Sequence, residues 1–373
     1  MMDYTATGLM SGTSLDGLDI ARCHFSYAND QWAYEIRQAE TISYPIHWED
    51  RLRSAHSLEA DHLLHLHMDY GKFIGACLLD FFKRHKINDP GIIASHGHTI
   101  FHRPEIDFTF QLGHGAAIAA ITRLPVISDF RSLDVALKGQ GAPLVPIGDQ
   151  WLFGQYDFCL NLGGFANISF HSRKKRLAFD ICPVNYIINQ LVTEHHADEA
   201  LPGIQKSSRI SCDLDGHLAR QGNVNHDLLA RLNNLSYYKK TGPRSLGAEW
   251  VQANIHPLLK EAGLSLHDTL RTYYEHVALQ INKCITGNVA SHQSIKQIFV
   301  TGGGAHNIFL MDLIRERSAK QTNYILPEKK IIDFKEALVF AFLGVLWQRE
   351  QAGCLSSVTG SLRDNIGGCK FIG

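Results

Sequence analysis

Hydrophobic and polar positions along the first part of the chain change period several times. Alternation with a period of two predicts strands, and six segments show it or a short apolar run: 4–9, 18–26, 34–43, 92–95, 108–112 and 125–129. A long helix is predicted over 58–85, because its apolar residues recur at steps of three and four. They fall on one helix face: Leu63, Tyr70, Ile74, Cys77, Leu78 and Phe81. A helix of small residues is predicted near 115–123.

The pattern restarts after residues 139–143, whose sequence GQGAP is a break in composition and a candidate hinge or domain boundary. Strands are predicted at 156–162, 166–171, 177–180 and 296–301, and helices at 184–194, 226–234, 245–260, 265–288, 307–318 and 333–350. Alternating strands and helices are typical of an α/β protein. At about 150 residues per domain, a chain of 373 residues is expected to form two domains. We predict domains at 1–138 and 139–373, with the segment from about 345 to 373 packing back on the first.

Composition excludes several classes of function. The 36 Lys and Arg residues nearly balance the 37 Asp and Glu residues, so the chain lacks the basic excess of a nucleic-acid or membrane-surface protein. The eight cysteines are scattered without a C-x-x-C pair, which argues against a structural zinc site or a redox motif. The N-terminal residues do not resemble a signal peptide, and no run of about 18 apolar residues occurs. We therefore expect a cytoplasmic protein with reduced thiols, no nucleic-acid partner and no membrane contact.

Histidines are unusually frequent, with 21 in the chain. Four of them, His96, His98, His102 and His114, fall close together, and a His-x-His pair after a strand can ligate a metal in hydrolases. The H-E-x-x-H pattern of zinc hydrolases is absent. A metal-dependent hydrolase is therefore kept only as an alternative.

The first strand is followed by a turn rich in glycine and hydroxyl residues. Gly12 and Gly17 leave backbone N–H groups unobstructed, and Ser11, Thr13 and Ser14 add hydroxyls, a combination that binds phosphate oxygens. The carboxylates of Asp16 and Asp19 are candidate Mg²⁺ ligands. The same turn would also serve as a plain tight hairpin.

Two further glycine turns lie in the second half. Gly163 and Gly164, with Asn167, repeat the strand–turn–strand pattern of the first turn, which suggests a duplicated fold. The segment 302–307, GGGAHN, follows a strand and precedes a helix, so a ligand could pack against its backbone. It is not a dinucleotide fingerprint, because Asn307 stands where the last glycine is required, and no G-x-x-x-x-G-K-[ST] motif occurs.

Three charged residues have both a catalytic and a structural interpretation. Asp180 ends a strand, where a general base is well placed, but the residue pattern by itself favours a cap for the following helix. Arg131 could bind an anionic group as a fork or form a buried ion pair. Glu336 could contact a substrate or provide a favourable charge in the first turn of a helix.

Taken together, these segments resemble the anhydro-N-acetylmuramic acid kinase family of the actin/hexokinase-like ATPase superfamily, almost from end to end. The first and fourth of the matching segments are long and highly specific. The segments are GLMSGTSLDGLD at 8–19, SHGHT at 95–99, DFR at 129–131, GQGAPLVP at 139–146, NLGGFANI at 161–168, GGGAHN at 302–307, KEA at 335–337 and SVTG at 357–360.

The resemblance implies an α/β fold of two RNase-H-like lobes with an ATP and substrate cleft between them. It implies that water opens the 1,6-anhydro ring of anhydro-N-acetylmuramic acid and that O6 then takes the γ-phosphoryl group of ATP, with Mg²⁺ as cofactor, in the recycling of cell-wall sugars. The catalytic residue it implies is Asp180, in FDICPVN at 179–185. The implied ATP-binding residues are Gly12, Thr13, Ser14, Leu15, Asp16, Gly17, Leu18, Asp19, Gly163, Gly164, Asn167, Gly302, Gly303, Gly304 and Asn307. The implied substrate-binding residues are Ser11, His96, Thr99, Arg131 and Glu336.

The chain also departs from the family pattern. Ile181 and Val184 replace smaller residues beside Asp180, His98 stands where glutamine is frequent, and His114 stands where a small or acidic residue is frequent. These changes could reshape the sugar pocket. A non-catalytic ATP-binding member of the superfamily is therefore a second alternative. Members are usually dimeric, which leaves a homodimer open for this chain.

Overall fold

The computed structural model describes residues 1–12, 15–173, 175–195, 204–207, 210–240, 244–288 and 295–373. The chain divides into two compact units. Unit 1 comprises Met1–Gly154 and Phe334–Gly373, and unit 2 comprises Gln155–Asp333. No helix within the described residues is long and apolar enough to cross a membrane.

The strands, in chain order, are β1 (Met2–Ser11), β2 (Leu18–Ala28), β3 (Gln31–Ile42), β4 (Ile92–Arg103), β5 (Phe108–Leu112), β6 (Val126–Ser128), β7 (Phe158–Leu162), β8 (Phe165–Ser172), β9 (Lys175–Pro183), β10 (Ile204–Ser207), β11 (Ile210–Asp213), β12 (Lys296–Thr301), β13 (Thr322–Ile325) and β14 (Cys369–Phe371).

The α-helices are α1 (Ile46–Ser54), α2 (Ala60–Arg84), α3 (Gly115–Thr122), α4 (Ser132–Ala136), α5 (Pro146–Trp151), α6 (Asn185–His195), α7 (His226–Asn233), α8 (Ala248–Asn254), α9 (His256–Ala262), α10 (Leu266–Gly287), α11 (Ile308–Glu316), α12 (Lys329–Gln348) and α13 (Ser356–Thr359). Short 3-10 turns lie between several of them.

Each unit is built on one main sheet, and the two sheets share a topology. In unit 1 the order is β3-β2-β1-β4-β6-β14, with β5 paired to β4. In unit 2 the order is β9-β8-β7-β12-β13. In both, the first three strands in sequence are antiparallel neighbours, and the next two in the sheet run parallel to the first. The repeated topology confirms the predicted α/β class with two lobes of one fold.

The core of unit 1 follows the predicted apolar pattern. On α2, the side chains of Tyr70, Ile74, Leu78 and Phe81 are fully buried, as the predicted helix face requires. The middle strand β1 is held close to α12 at Gly8: a Cβ at this position would lie 1.9 Å from the carbonyl oxygen of Ala337. Only glycine allows the strand and the helix to approach this closely.

Unit 1 extends beyond the predicted boundary at residues 138 and 139. Leu144, Ile147 and Phe153 are buried, and the ring of Phe153 lies 5.3 Å from that of Tyr34 on β3. The segment after the glycine-rich break therefore packs within unit 1, so the boundary of the compact unit falls at Gly154 instead. The C-terminal strand β14 pairs antiparallel with β6 in the sheet of unit 1.

Candidate active site

The first glycine turn joins β1 to β2. Thr13 and Ser14, two of the predicted nucleotide-binding residues, lie outside the described residues. The carbonyl of Gly12 accepts a hydrogen bond from the N–H of Leu15 at 3.3 Å, and Leu15 has a positive φ of 62°. The chain therefore turns sharply here, as a phosphate-binding backbone loop requires.

Carboxylates follow this turn on the β2 side. Asp16 is exposed, and Asp19 is half-buried, where its Oδ1 accepts a hydrogen bond from the hydroxyl of Thr41 at 2.6 Å. Gly17 and Leu18 are buried where β2 begins. Oxygen ligands of this kind are the ones that Mg²⁺ prefers.

Ser11, at the end of β1, belongs to a buried polar network. Its hydroxyl oxygen accepts a hydrogen bond from the Tyr44 hydroxyl at 2.7 Å and lies 3.0 Å from Nδ1 of His98. The Tyr44 and Tyr70 hydroxyls are 2.6 Å apart. Burial lowers the pKa of His98 to about 4, so its ring is neutral at physiological pH. Ser11 is 1 % exposed and is thus committed to protein contacts that fix the end of β1.

Arg131 is oriented by two neighbours in unit 1. Its Nε and Nη2 lie 3.1 and 2.9 Å from Nε2 of His96, and its Nη1 donates to the carbonyl of Gly141 at 2.6 Å. Nδ1 of His96 lies 2.8 Å from the carbonyl oxygen of Gly97. Since Nε2 accepts from Arg131, Nδ1 carries the proton and both ring nitrogens are occupied. Burial, together with the positive charge of Arg131, lowers the pKa of His96 well below its usual value.

His96 therefore holds Arg131 and has no free nitrogen for a substrate or a metal. Among the described residues, the only group whose ligand atoms converge is Glu59, Asp61 and His62, which are all exposed. The histidines at 96, 98, 102 and 114 do not form such a group, so the hydrolase alternative has no support in the described geometry.

The segment Gly139–Pro143 is fixed by a buried carboxylate. Asp134 is fully buried, and its Oδ2 accepts from the N–H of Gly141 at 2.8 Å. Its Oδ1 accepts from the hydroxyl of Thr359 at 2.9 Å and from the amide of Asn365 at 2.8 Å. Asp134 thus ties the C-terminal segment to the loop whose carbonyl orients Arg131. The sequence offered no signal for this role, because the partners lie more than two hundred residues apart.

Glu336 is half-buried near Arg131 in unit 1. Burial raises the pKa of its carboxyl group, while the positive charges of Arg131 and Lys335 oppose that shift. Lys335 itself is buried and forms an ion pair with Asp149 at 2.7 Å. Thr99, on β4, is half-buried and pairs with Gln111 of β5. Of the predicted substrate residues, the structure therefore brings His96, Arg131 and Glu336 together.

In unit 2, Asp180 is surrounded by backbone and aromatic groups. Its Oδ2 accepts from the N–H of Leu246 at 2.9 Å, and its carbonyl accepts from the hydroxyl of Tyr237 at 2.7 Å. Burial raises the pKa of Asp180 to about 6, although the Leu246 N–H and the Arg244 charge both act to lower it. Asp180 lies within β9 and does not cap α6, which begins five residues later.

Sequence reasoning missed the residues that hold Asp180. The guanidinium carbon of Arg244 lies 4.9 Å from the ring centroid of Tyr237 and 5.2 Å from that of Phe179. Asp180 also pairs with Asn167 of β8, which in turn pairs with Asn161 of β7. Three polar side chains therefore form a row across three strands. Strand alternation could have indicated Asn161, but nothing in the sequence indicated Arg244.

The turn at Gly163 and Gly164 presents free donors. The two carbonyls accept hydrogen bonds from the start of α6, including the N–H of Val184 to Gly164 at 2.8 Å. Among the described residues, the N–H groups of Gly163 and Gly164 have no acceptor. Unpaired N–H groups in a glycine turn form a suitable anion site.

The third glycine turn packs against the second. Gly302 has a positive φ of 84°, and a Cβ there would lie 2.5 Å from Oδ1 of Asn161. Gly303 and Gly304 form the following 3-10 turn. Asn307 caps α11, since its Oδ1 accepts from the N–H of Leu310 at 3.0 Å, and its amide donates to the Tyr274 hydroxyl at 2.8 Å. These contacts give Asn307 a structural role in addition to the predicted nucleotide contact.

Comparison with known proteins identifies the family. The family model described as anhydro-N-acetylmuramic acid kinase matches residues 4–373. The anhydro-N-acetylmuramic acid kinase of Photobacterium profundum is 33% identical over 95% of this chain and 95% of its own. That of Hahella chejuensis is 32% identical over 98% of this chain and 97% of its own. Among solved structures, the alignment with the activator of the 2-hydroxyisocaproyl-CoA dehydratase from Clostridium difficile covers 93% of this chain and 97% of that protein's chain. The sequence identity is 12% and the TM-score is 0.40, so this similarity carries no argument about function. The full-length match and the two close relatives show that this chain belongs to the anhydro-N-acetylmuramic acid kinase family.

Proposed function

We propose that this enzyme opens the 1,6-anhydro ring of anhydro-N-acetylmuramic acid with water and transfers the γ-phosphoryl group of ATP to O6, giving N-acetylmuramic acid 6-phosphate. Family membership over residues 4–373 supports this activity and the use of ATP. The structural observation that carries the mechanism is the half-buried Asp180 carboxyl group, whose pKa of about 6 suits a base that works near neutral pH.

Asp180 acts as the general base. Water is a weak nucleophile until a base takes its proton during the attack on the anomeric carbon. The water oxygen bonds to C1 as the C1–O6 bond breaks, and the electron pair of that bond stays on O6. O6 then bonds to the γ-phosphorus, and the bond to the bridging oxygen breaks to release ADP. The single proton that Asp180 takes from water later leaves to solvent, which balances the reaction.

The Leu246 N–H holds one oxygen of Asp180 at 2.9 Å. The other oxygen has no hydrogen-bond donor among the described side chains and backbone groups, so it is the oxygen that meets the water. A base held by one fixed hydrogen bond keeps its orientation without losing its second acceptor.

The glycine turns serve phosphoryl transfer, which depends mainly on positioning and charge neutralisation. The unpaired N–H groups of Gly163 and Gly164 bind phosphate oxygens, and the segment from Gly12 to Asp19 does the same in unit 1. The 302–304 turn packs against the nucleoside. Asp16 and Asp19 fit Mg²⁺, which supplies neutralisation of phosphate charge when bound.

Arg131 and Glu336 orient the sugar. Arg131 keeps N–H groups beyond those given to His96 and Gly141, and these can bind an oxygen of the substrate. Glu336 adds an acceptor for a sugar hydroxyl. Because His96 is occupied on both nitrogens, its role is to position Arg131.

The decisive experiment is a mass-resolved product assay in ¹⁸O-labelled water. The expected product is a phosphosugar with one ¹⁸O on C1 and none in the phosphoryl group. The Asp180→Asn variant is expected to bind ATP and give no product. Asp312→Asn is the matched control, because the Asp312 side chain is 45% exposed and its ion pairs among the described residues are with the exposed Arg220 and Arg315. Near-normal turnover of Asp180→Asn would contradict the assignment, and ATP binding without product in the wild type would favour a non-catalytic member.

A further inference from the structure

A cavity of about 170 Å³ lies in unit 1 beside the residues that hold Arg131. His67, Gln111, His114, Ser128, Asp129 and Phe371 are among the residues that line it, and His96 borders it. Whole ligands occupy about 300–1,000 Å³, so a cavity of this size receives one substituent of a larger molecule.

Two histidines give this cavity hydrogen-bond donors. Nδ1 of His67 accepts from the N–H of Gly113 at 3.0 Å, and Nδ1 of His114 accepts from the N–H of Ala116 at 3.1 Å. An imidazole whose Nδ1 accepts in this way carries its proton on Nε2. Each ring therefore offers one Nε2–H donor. The ring centroids are 4.9 Å apart, and both rings line the cavity.

A serine hydroxyl also faces this cavity. Ser128 lines the cavity and makes no side-chain hydrogen bond to any described residue. Its hydroxyl can donate one hydrogen bond and accept others. It therefore adds a polar group that a ligand atom in the cavity can contact.

The charge of the cavity excludes an anionic occupant. Burial and the neighbouring His114 lower the pKa of His67 to about 4, so His67 contributes no positive charge near neutral pH. Asp129 lies at the rim, and its Oδ1 already accepts from the Ser132 hydroxyl at 2.5 Å. A carboxylate of the ligand would be repelled by Asp129, whereas an N–H group would find an acceptor there.

We propose that this cavity binds the 2-acetamido group of the sugar, between the Nε2–H donors of His67 and His114 and the carboxylate of Asp129. An acetamido group has one carbonyl acceptor, one N–H donor and one methyl group. These match the imidazole donors, the Asp129 oxygen and the rings of Phe110 and Phe371, which also line the cavity. The proposal rests on the proposed function for the identity of the sugar. It makes His114, which departs from the family pattern, a specificity residue of this chain.

The test compares 1,6-anhydro-N-acetylmuramic acid with its de-N-acetylated analogue by titration calorimetry and by steady-state kinetics. His114→Asn keeps a side-chain acceptor at the N-cap of α3 but removes the imidazole donor. Ser128→Ala removes the unpaired hydroxyl. Each variant is expected to bind the acetylated sugar about five- to tenfold more weakly and to raise its KM by the same factor, with little change in kcat. Neither variant is expected to change the affinity for the de-N-acetylated analogue. His62→Asn, on the exposed face of α2, is the control.

The outcomes separate this inference from the proposed function. Sugar binding that discriminates the acetyl group without any phosphosugar product would overturn the function and leave the cavity assignment standing. The cavity assignment would be overturned, even in an active enzyme, if the wild type bound both sugars with equal affinity. It would also be overturned if the two variants lost affinity for both sugars by the same factor. Failure of the wild type to bind either sugar would overturn both.

Discussion

Replacing Asp180 by asparagine should stabilise the protein while it removes activity. In the folded protein the pKa of Asp180 is raised to about 6 by burial, so folding disfavours the ionised form. Below the ordinary pKa of an aspartate, the carboxyl group is neutral in both states and folding carries no penalty. The penalty grows as the pH rises from about 4 and is complete above pH 6.

The size of the effect follows from the shift. A rise from 3.8 to about 6 corresponds to about 3 kcal/mol at 1.36 kcal/mol per pH unit, which is a ceiling for a fully buried group. Asp180 is half-buried, so solvent screening reduces the expected gain to about 1–2 kcal/mol at pH 8. For a unit the size of residues 155–333, that raises the midpoint of thermal unfolding by about 3–6 °C. Asparagine can retain the hydrogen bond from the Leu246 N–H through its carbonyl oxygen.

The assay is thermal unfolding of wild type, Asp180→Asn and the surface control Asp312→Asn at pH 8 and at pH 4. The expected pattern is a higher midpoint for Asp180→Asn at pH 8, no difference at pH 4 and no effect of the control at either pH. A lower unfolding midpoint for Asp180→Asn than for wild type at pH 8 would refute the assignment of a destabilising carboxylate. The same change in midpoint at pH 8 and pH 4 would refute it as well.

Three further predictions concern activity and packing. The value of kcat/KM should increase as the pH is raised, with an apparent pKa near 6, because Asp180 must be ionised to accept the proton of water. A value of kcat/KM that does not change between pH 5 and 7 would exclude Asp180 as the base. His96→Leu should lower kcat/KM about ten- to hundredfold, because it leaves N–H groups of Arg131 unpaired, and His96→Gln should lower it less. Steady-state kinetics would measure both variants, and a changed circular dichroism spectrum would show that the effect is only structural. Gly8→Ala should destabilise unit 1 by about 3 kcal/mol or more, because its Cβ would lie 1.9 Å from the Ala337 carbonyl oxygen. Gly287→Ala is the control, because no atom of the described residues lies within 4 Å of a Cβ there, and urea unfolding would measure both variants.

Strand and helix positions could be predicted where the apolar pattern alone decides them. The buried face of α2 and the strands β1, β2 and β7 follow from local periodicity. Strand β4 runs from Ile92 to Arg103, although only 92–95 was predicted. The part of β4 beyond residue 95 contains His96 and His98, which are polar residue types but are buried and neutral in the structure. Periodicity cannot detect a strand whose buried positions are histidines.

The extent of unit 1 could not be predicted, because it depends on contacts between distant segments. Phe153 packs on Tyr34, and Asp134 binds Thr359 and Asn365. Neither contact leaves a local signature. The same limit applies to the candidate site. Asp180, Arg131 and the glycine turns could be named from motifs, but the use of His96 to hold Arg131 depends on which nitrogen each neighbour occupies.

The buried histidines also determine how the pH dependence of the enzyme is to be interpreted. His98 and His67 have pKa values lowered to about 4, so in the folded protein they stay neutral while Asp180 titrates near 6. Their unfolded counterparts gain protons near 6.5, so stability falls as the pH drops from 6.5 towards 4. The hydrogen bond between His98 and Ser11 is nevertheless intact at pH 6, because His98 is still neutral there. A loss of rate between pH 7 and 5 without a change in the circular dichroism spectrum would therefore report the protonation of Asp180 and not the collapse of unit 1, and parallel losses of both signals would contradict this separation.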